Sequence, residues 1–181
     1  MKRFLLLLVF CLSALFAAWG QSFTAEKITL PNSTLHNFYR IDSNVYRSEQ
    51  PTAADFKALE KYGIREVLNL RNWHSDKDAE GTDLVLHRVK TNAYIINERD
   101  FIKALRIIHN RKGPIVFHCL HGSDRTGAIC AMYRIVFQGV SKEDAIRELK
   151  EGGYGFHPVF INIIPAIRNA DIDYIRSEVL K

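Results

Sequence analysis

The chain has 181 residues, 47% of them apolar and 25% charged, which suits one globular domain with a sizeable core and argues against a disordered or multi-domain chain. Its formal net charge of +5 comes without the long basic run of a nucleic-acid tail, so nucleic acid is not an expected partner and the charge is a mild bias toward anionic ligands. Three cysteines are too few for a disulfide framework, and the chain holds no repeat, low-complexity tract or inter-domain linker.

Residues 1–20 read as an export signal: Lys2 and Arg3, an apolar run from Phe4 to Phe16, then small residues at Ala18 and Gly20. The run is shorter than the roughly 20 residues of a spanning helix, so a retained anchor is the weaker alternative. Cleavage near Gly20 and a periplasmic or secreted destination are expected, with no stable membrane insertion afterwards. Cleavage would take the 25 basic side chains to 23 against 20 acidic ones and leave only Cys119 and Cys130. Gln21 to Asn37 reads as an extended N-terminal arm, and 38–181 as the main domain.

Phe38 to Ser48 reads as two short strands around the turn Asp42-Ser43-Asn44. Thr52, with Asp55 three residues on, predicts a capped helix with an apolar stripe at Phe56, Leu59 and Tyr62, closed by Gly63. Ile64–Leu70 is a buried strand, Arg71–Asp83 a polar loop in which His74, Asp76 and Asp78 are solvated, and Leu84–Val89 another strand. A helix over Glu98–Asn110, a brief strand at Ile115–His118 and a helix apolar nearly all round over Thr126–Gln138 follow. Ser141 caps a helix to Glu151, and one or two C-terminal helices lie between Val159 and Val179. The order predicts an α/β fold: a central, mostly parallel sheet of four to five strands with helices on both faces. Ligands bind such sheets beyond the carboxyl ends of the strands, where the loop after His118 lies.

That loop, residues 118–127, reads H-C-L-H-G-S-D-R-T-G. A cysteine leaves a buried strand, an arginine follows six residues on, and a helix starts at once. Backbone N–H groups curling into a helix N-terminus converge on one spot, which binds a phosphate dianion and stabilises a thiolate at Cys119. Leu120, His121, Gly122, Ser123, Asp124 and Arg125 would form the phosphate cradle, with the planar fork of Arg125 meeting two oxygens. Gly122 allows turns closed to other residues. Thr126 sets a hydroxyl within reach of the sulfur.

This stretch resembles the signature loop of the protein tyrosine and dual-specificity phosphatases, H-C-x-x-G-x-x-R-[S/T], at every fixed position. Val45-Tyr46-Arg47-Ser48-Glu49-Gln50-Pro51 and Val67-Leu68-Asn69-Leu70-Arg71 are similar to the opening of the compact dual-specificity branch. The resemblance implies that Cys119 attacks phosphorus to form a cysteinyl-phosphate, that Arg125 and the loop amides hold the equatorial oxygens, and that His118 orders the loop. It implies no metal and no cofactor, and the sequence shows no ligand cluster. The branch carries its general acid on the loop after the strand at Leu84–Val89, but here that loop, K-T-N-A-Y-I-I-N, has no carboxylate before Glu98. Asp124 is the favoured acid, since the D-R-T-G form is similar to that of some bacterial tyrosine and lipid phosphatases, and the aspartate before the arginine also recurs in the myotubularins, where it is taken to serve as the acid; Asp76, Asp78 and Asp83 are the alternatives.

Substrates implied are phosphotyrosine, with phosphoserine and phosphothreonine as further candidates, or a phosphoinositide or inositol phosphate; a non-catalytic phosphate-binding module is the third reading. A monomer is expected. Cys130 reads as a buried thiol rather than a redox partner for Cys119. Tyr94, His157 and Arg71 are candidates for the pocket rim.

Overall fold

The computed structural model describes residues 25–181, so the export signal and the start of the arm lie outside the described residues. Among the described residues six strands form one sheet: β1 (Glu26–Lys27), β2 (Tyr39–Asp42), β3 (Val45–Ser48), β4 (Glu66–Arg71), β5 (Val85–Thr91) and β6 (Ile115–His118), in the order β1-β2-β3-β6-β4-β5. β3, β6, β4 and β5 are parallel neighbours, and β1 and β2 join antiparallel. The strand count exceeds expectation by β1, because two arm residues pair with Arg40 and Tyr39; a strand so short carries no alternation to read.

Every residue of β6 is buried and its two faces feed different cores. Ile115 and Phe117 pack with helices α2 (Glu98–His109), α3 (Asp124–Gln138), α4 (Lys142–Glu151), α5 (Ile163–Asn169) and α6 (Ile172–Val179). Val116 packs on the other face with α1 (Ala53–Tyr62) and with Leu30, Leu35 and Phe38 of the arm side. This is the period-two alternation of a strand covered on both sides.

The capping predictions hold in detail. Thr52 and Asp55 form the capping box of α1, and Gly63 ends the helix at φ +113°. Asp55 is buried and also accepts bonds from Ser33 Oγ and the Thr34 N–H, both at 2.7 Å, which ties the arm to the helix. Burial pushes its pKa up, but the bonds from Thr52, Ser33 and Thr34 outweigh that and hold it below the usual carboxylate range.

Parallel pairing sets the site. Ser48 and Asn69 both lie opposite His118, so three strands end together and the segments after them meet beyond the carboxyl edge. The helix expected from Thr126 starts at Asp124, which brings its N-terminus directly onto the loop.

Candidate active site

Cys119 leaves β6 with 1% of its surface exposed, and residues 120–123 arch from it to α3. The arch is shaped by what its carbonyls meet. The Leu120 oxygen accepts from the Gln50 N–H at 3.0 Å, the His121 oxygen from Asn37 Nδ2 at 2.7 Å, and the Gly122 oxygen from Arg47 Nη2 at 2.6 Å. All peptides among the described residues are trans, so each carbonyl turned outward turns the next N–H inward. The amides of His121, Gly122 and Ser123 therefore face the inside of the loop, forming an anion nest at the start of a helix.

Gly122 is required twice. Its φ is +71°, and a Cβ there would stand 2.7 Å from both Ser48 O and Glu49 N. Ser123 does not point into the cradle with its side chain; its Oγ donates to the Tyr154 oxygen at 2.6 Å. Arg125 Nε and Thr126 Oγ1 are buried without a partner among the described residues, so the expected Thr126–Cys119 bond is not formed. Buried orphan donors are costly unless a ligand or a charged state of a neighbour engages them, and both belong to residues assigned to phosphate or sulfur.

Beneath the loop lies a polar support, of which the sequence reading foresaw His118 but not its partners. His118 is fully buried, with Nδ1 3.1 Å from the Cys119 oxygen and Nε2 3.0 Å from Asp76 Oδ2. Asp76 accepts further bonds from Asn69 Nδ2 at 2.8 Å and Gln50 Nε2 at 3.1 Å. Far from being solvated, Asp76 is 6% exposed. Burial pushes its pKa up, but the hydrogen bond and charge of His118, with the Gln50 bond, leave it below its ordinary 3.8. A carboxyl group so occupied is a buttress and a poor proton donor.

Asp78 is exposed. Asp83 precedes β5 and so lies at the amino ends of the parallel strands, across the sheet from Cys119. Arg47, also unforeseen, is fully buried; besides bonding Gly122 its guanidinium sits 3.7 Å over the Tyr154 ring. The one hint was an arginine inside a segment read as a strand; the structure shows every residue of that strand buried.

Two of the rim candidates join the site. Arg71 donates to Gln50 Oε1 at 3.0 Å; its pKa is lowered by burial and then by the nearby Arg125 charge, against the opposing pull of Cys119 and Asp76. His157 donates its backbone N–H to Asp124 Oδ1 at 2.8 Å, and its Nδ1 lies 2.9 Å from Oδ2. Tyr94 stays exposed, edge-on to Phe160 at 4.9 Å, while Phe160 also meets the His157 ring. Asp124 is 5% exposed, and His121 and His157 place their rings 5.4 Å apart beside it. No ligand cluster was legible in the sequence, yet the fold gathers these three residues, because His157 stands 33 positions after Asp124. Cys130 is a buried free thiol whose pKa burial raises, in line with the packing role read for it.

Among known proteins, the family model described as "Polymorphic toxin system, DSP-PTPase phosphatase" matches residues 41–139. The dual specificity protein phosphatase TpbA of Pseudomonas aeruginosa (strain UCBPP-PA14) is 31% identical over 147 residues, covering 77% of this chain. The match spans 65% of that relative, just under two thirds of its length. A crystal structure of P. aeruginosa TpbA is similar at a TM-score of 0.77 with 28% identity, covering 89% of this chain and 99% of that one. A second, of a Cys→Ser variant in complex with pTyr, is similar at 0.77 with 26% identity, covering 89% and 98%. The core catalytic domain of PP-IP phosphatase SIW14 from S. cerevisiae shares the fold at a TM-score of 0.67 and 23% identity, covering 83% and 93%.

Proposed function

The chain belongs to the cysteine-dependent protein tyrosine phosphatases, in their compact dual-specificity branch, and on that premise we propose that it hydrolyses phosphate monoesters, phosphotyrosine first, through a cysteinyl-phosphate. The observation that carries the reading is that the Leu120, His121 and Gly122 carbonyls are all held by donors outside the loop, which turns the following amides inward beside Cys119, with Arg125 in the first turn of the helix. The pTyr-bound structure of TpbA supports phosphotyrosine as the first substrate to try.

In this mechanism the Cys119 sulfur attacks phosphorus in line as the bond to the leaving oxygen breaks. Arg125 and the amides of His121, Gly122 and Ser123 stabilise the charge on the three equatorial oxygens. Water then attacks the phosphocysteine, the S–P bond breaks, and the thiolate and inorganic phosphate are released. Thr126 is the donor at hand for the departing sulfur.

Asp124 serves as the proton donor to the leaving oxygen and the base toward water. Three observations support it. The loop after β5, from Asn92 to Asn97, carries no carboxylate; Asp76 is fully engaged beneath the loop; and Asp83 is at the wrong end of the sheet. Asp124 sits in the first helical turn, next to the phosphate-binding arginine, with its oxygens on the His157 N–H and ring.

The test is hydrolysis of an aryl phosphate and a phosphotyrosine peptide with EDTA present. Turnover is expected in the wild type, blocked by vanadate and abolished in Cys119→Ser. Turnover surviving in the serine variant overturns the mechanism, and release of phosphate from phosphoinositides alone moves the substrate class. The N-terminal pattern of residues 1–20 further supports export, with Gln21 as the first residue of the mature chain; the mass of the protein recovered outside the cytoplasm checks this.

A further inference from the structure

His121, Asp124 and His157 each offer one ligand-capable atom, and these atoms all lie within 4.8 Å of one another. Two imidazoles and a carboxylate are a donor set that zinc takes in tetrahedral sites, with a fourth position left to water. Bonds of about 2.0–2.1 Å around such a centre put neighbouring ligand atoms roughly 3.3 Å apart. The Asp124–His157 pair is already near that spacing, with His157 Nδ1 at 2.9 and 3.1 Å from the two carboxylate oxygens. His121 has only to close the remaining gap, and its exposed side chain already sets its ring 5.4 Å from that of His157.

The charges point the same way. Asp124 is buried, and among the described residues no lysine or arginine forms an ion pair with it; its partner is His157. A buried carboxylate whose counter-group is one imidazole has negative charge to offer a dication. The His157 side chain is 48% exposed, so the ion can arrive from solvent. The frame is also fixed in advance: the His157 backbone is tied to Asp124, and the His121 carbonyl is held by Asn37.

The geometry points to an inhibitory metal site, in which a zinc-class divalent cation bound by His121, Asp124 and His157 switches the phosphatase off. The ion takes the carboxylate that would give and receive the proton, and it stands at the helix end of the Cys119 cradle. The inhibitory half rests on the proton-donor role proposed above; the binding half does not.

Binding is tested in Cys119→Ser, which removes the thiolate as a competing ligand. The stripped protein is titrated with Zn²⁺ against a chromophoric chelator, and with Co²⁺ by visible absorption. One equivalent is expected, with no sulfur-to-cobalt charge-transfer band, and with affinity falling at least tenfold in His121→Ala and in His157→Gln. The glutamine variant keeps the backbone bond to Asp124, and circular dichroism confirms that each variant is folded. Unchanged affinity in both variants, or loss of binding in Cys119→Ser itself, overturns the site. In the wild type, Zn²⁺ is expected to stop turnover and EDTA to restore it. A metal that binds these residues without slowing turnover overturns the inhibitory half, whereas a chain inactive in EDTA contradicts the phosphatase reading and leaves the binding result to stand.

Discussion

Replacing Asp76 by alanine should be the most destabilising single change beneath the catalytic loop. The substitution removes three accepted hydrogen bonds, from His118, Asn69 and Gln50. Gln50 is only part-buried and can turn to water, and Asn69 keeps its bond to the His74 oxygen at 3.0 Å. His118 has neither escape, since it is fully buried. Breaking one side of such a buried pair costs about 3–5 kcal/mol, and for a domain of this size each kcal/mol lowers Tm by about 2–4 °C. A fall of roughly 6–20 °C is therefore expected, against a smaller loss of about 1–3 kcal/mol for Asp76→Asn, which keeps one acceptor. The pH dependence supplies a second readout. The folded-state pKa of Asp76 is depressed, so its contribution is complete above its ordinary 3.8 and is lost as pH falls through the lower folded value. Denaturant unfolding at neutral pH and again well below 3.8 should thus show the gap between wild type and Asp76→Ala narrowing in acid. A variant within about 1 kcal/mol of wild type at neutral pH, well short of the cost of an orphaned buried partner, would refute the reasoning.

Asp124→Asn should lower kcat on alkyl phosphates by about 10²–10⁴, the range of a lost general acid, and much less on aryl phosphates whose leaving groups need no proton; comparing the two substrates is the check. Gly122→Ala forces a Cβ to 2.7 Å from Ser48 O and Glu49 N at a left-handed φ, so vanadate binding should weaken along with stability, by about 1–3 kcal/mol in a melt. Arg47→Met keeps the stem but removes the donor to the Gly122 oxygen, and a higher KM with a lower Tm is expected, in contrast to a surface arginine such as Arg99, whose alanine variant should leave both unchanged.

What could be read from the chain before its structure follows the range of the forces involved. The capping box at Thr52–Asp55, the Gly63 stop and the buried run of β6 are local signals, and they were legible. So was the loop from Cys119 to Arg125, because a strand, a tight arch and a helix start are adjacent in sequence. Asp76 was misjudged because its burial depends on His118, 42 positions away, and an aspartate among polar neighbours looks solvated. Arg47 was obscured for the same reason, and His157 was legible only as a rim candidate: their partners, Gly122 and Asp124, come from other segments. β1 was invisible because its two residues pair only after β2 is in place.

Asn37 Nδ2 meets the oxygens of both His121 and Tyr154, so the catalytic arch is laced to residues on either flank of the stretch 41–139 shared with the family. Anyone trimming the protein to that shared stretch would keep the nucleophile and lose the stitching: the asparagine before it and the tyrosine after it. An inert fragment of that kind would report on severed braces and not on the chemistry of the thiol.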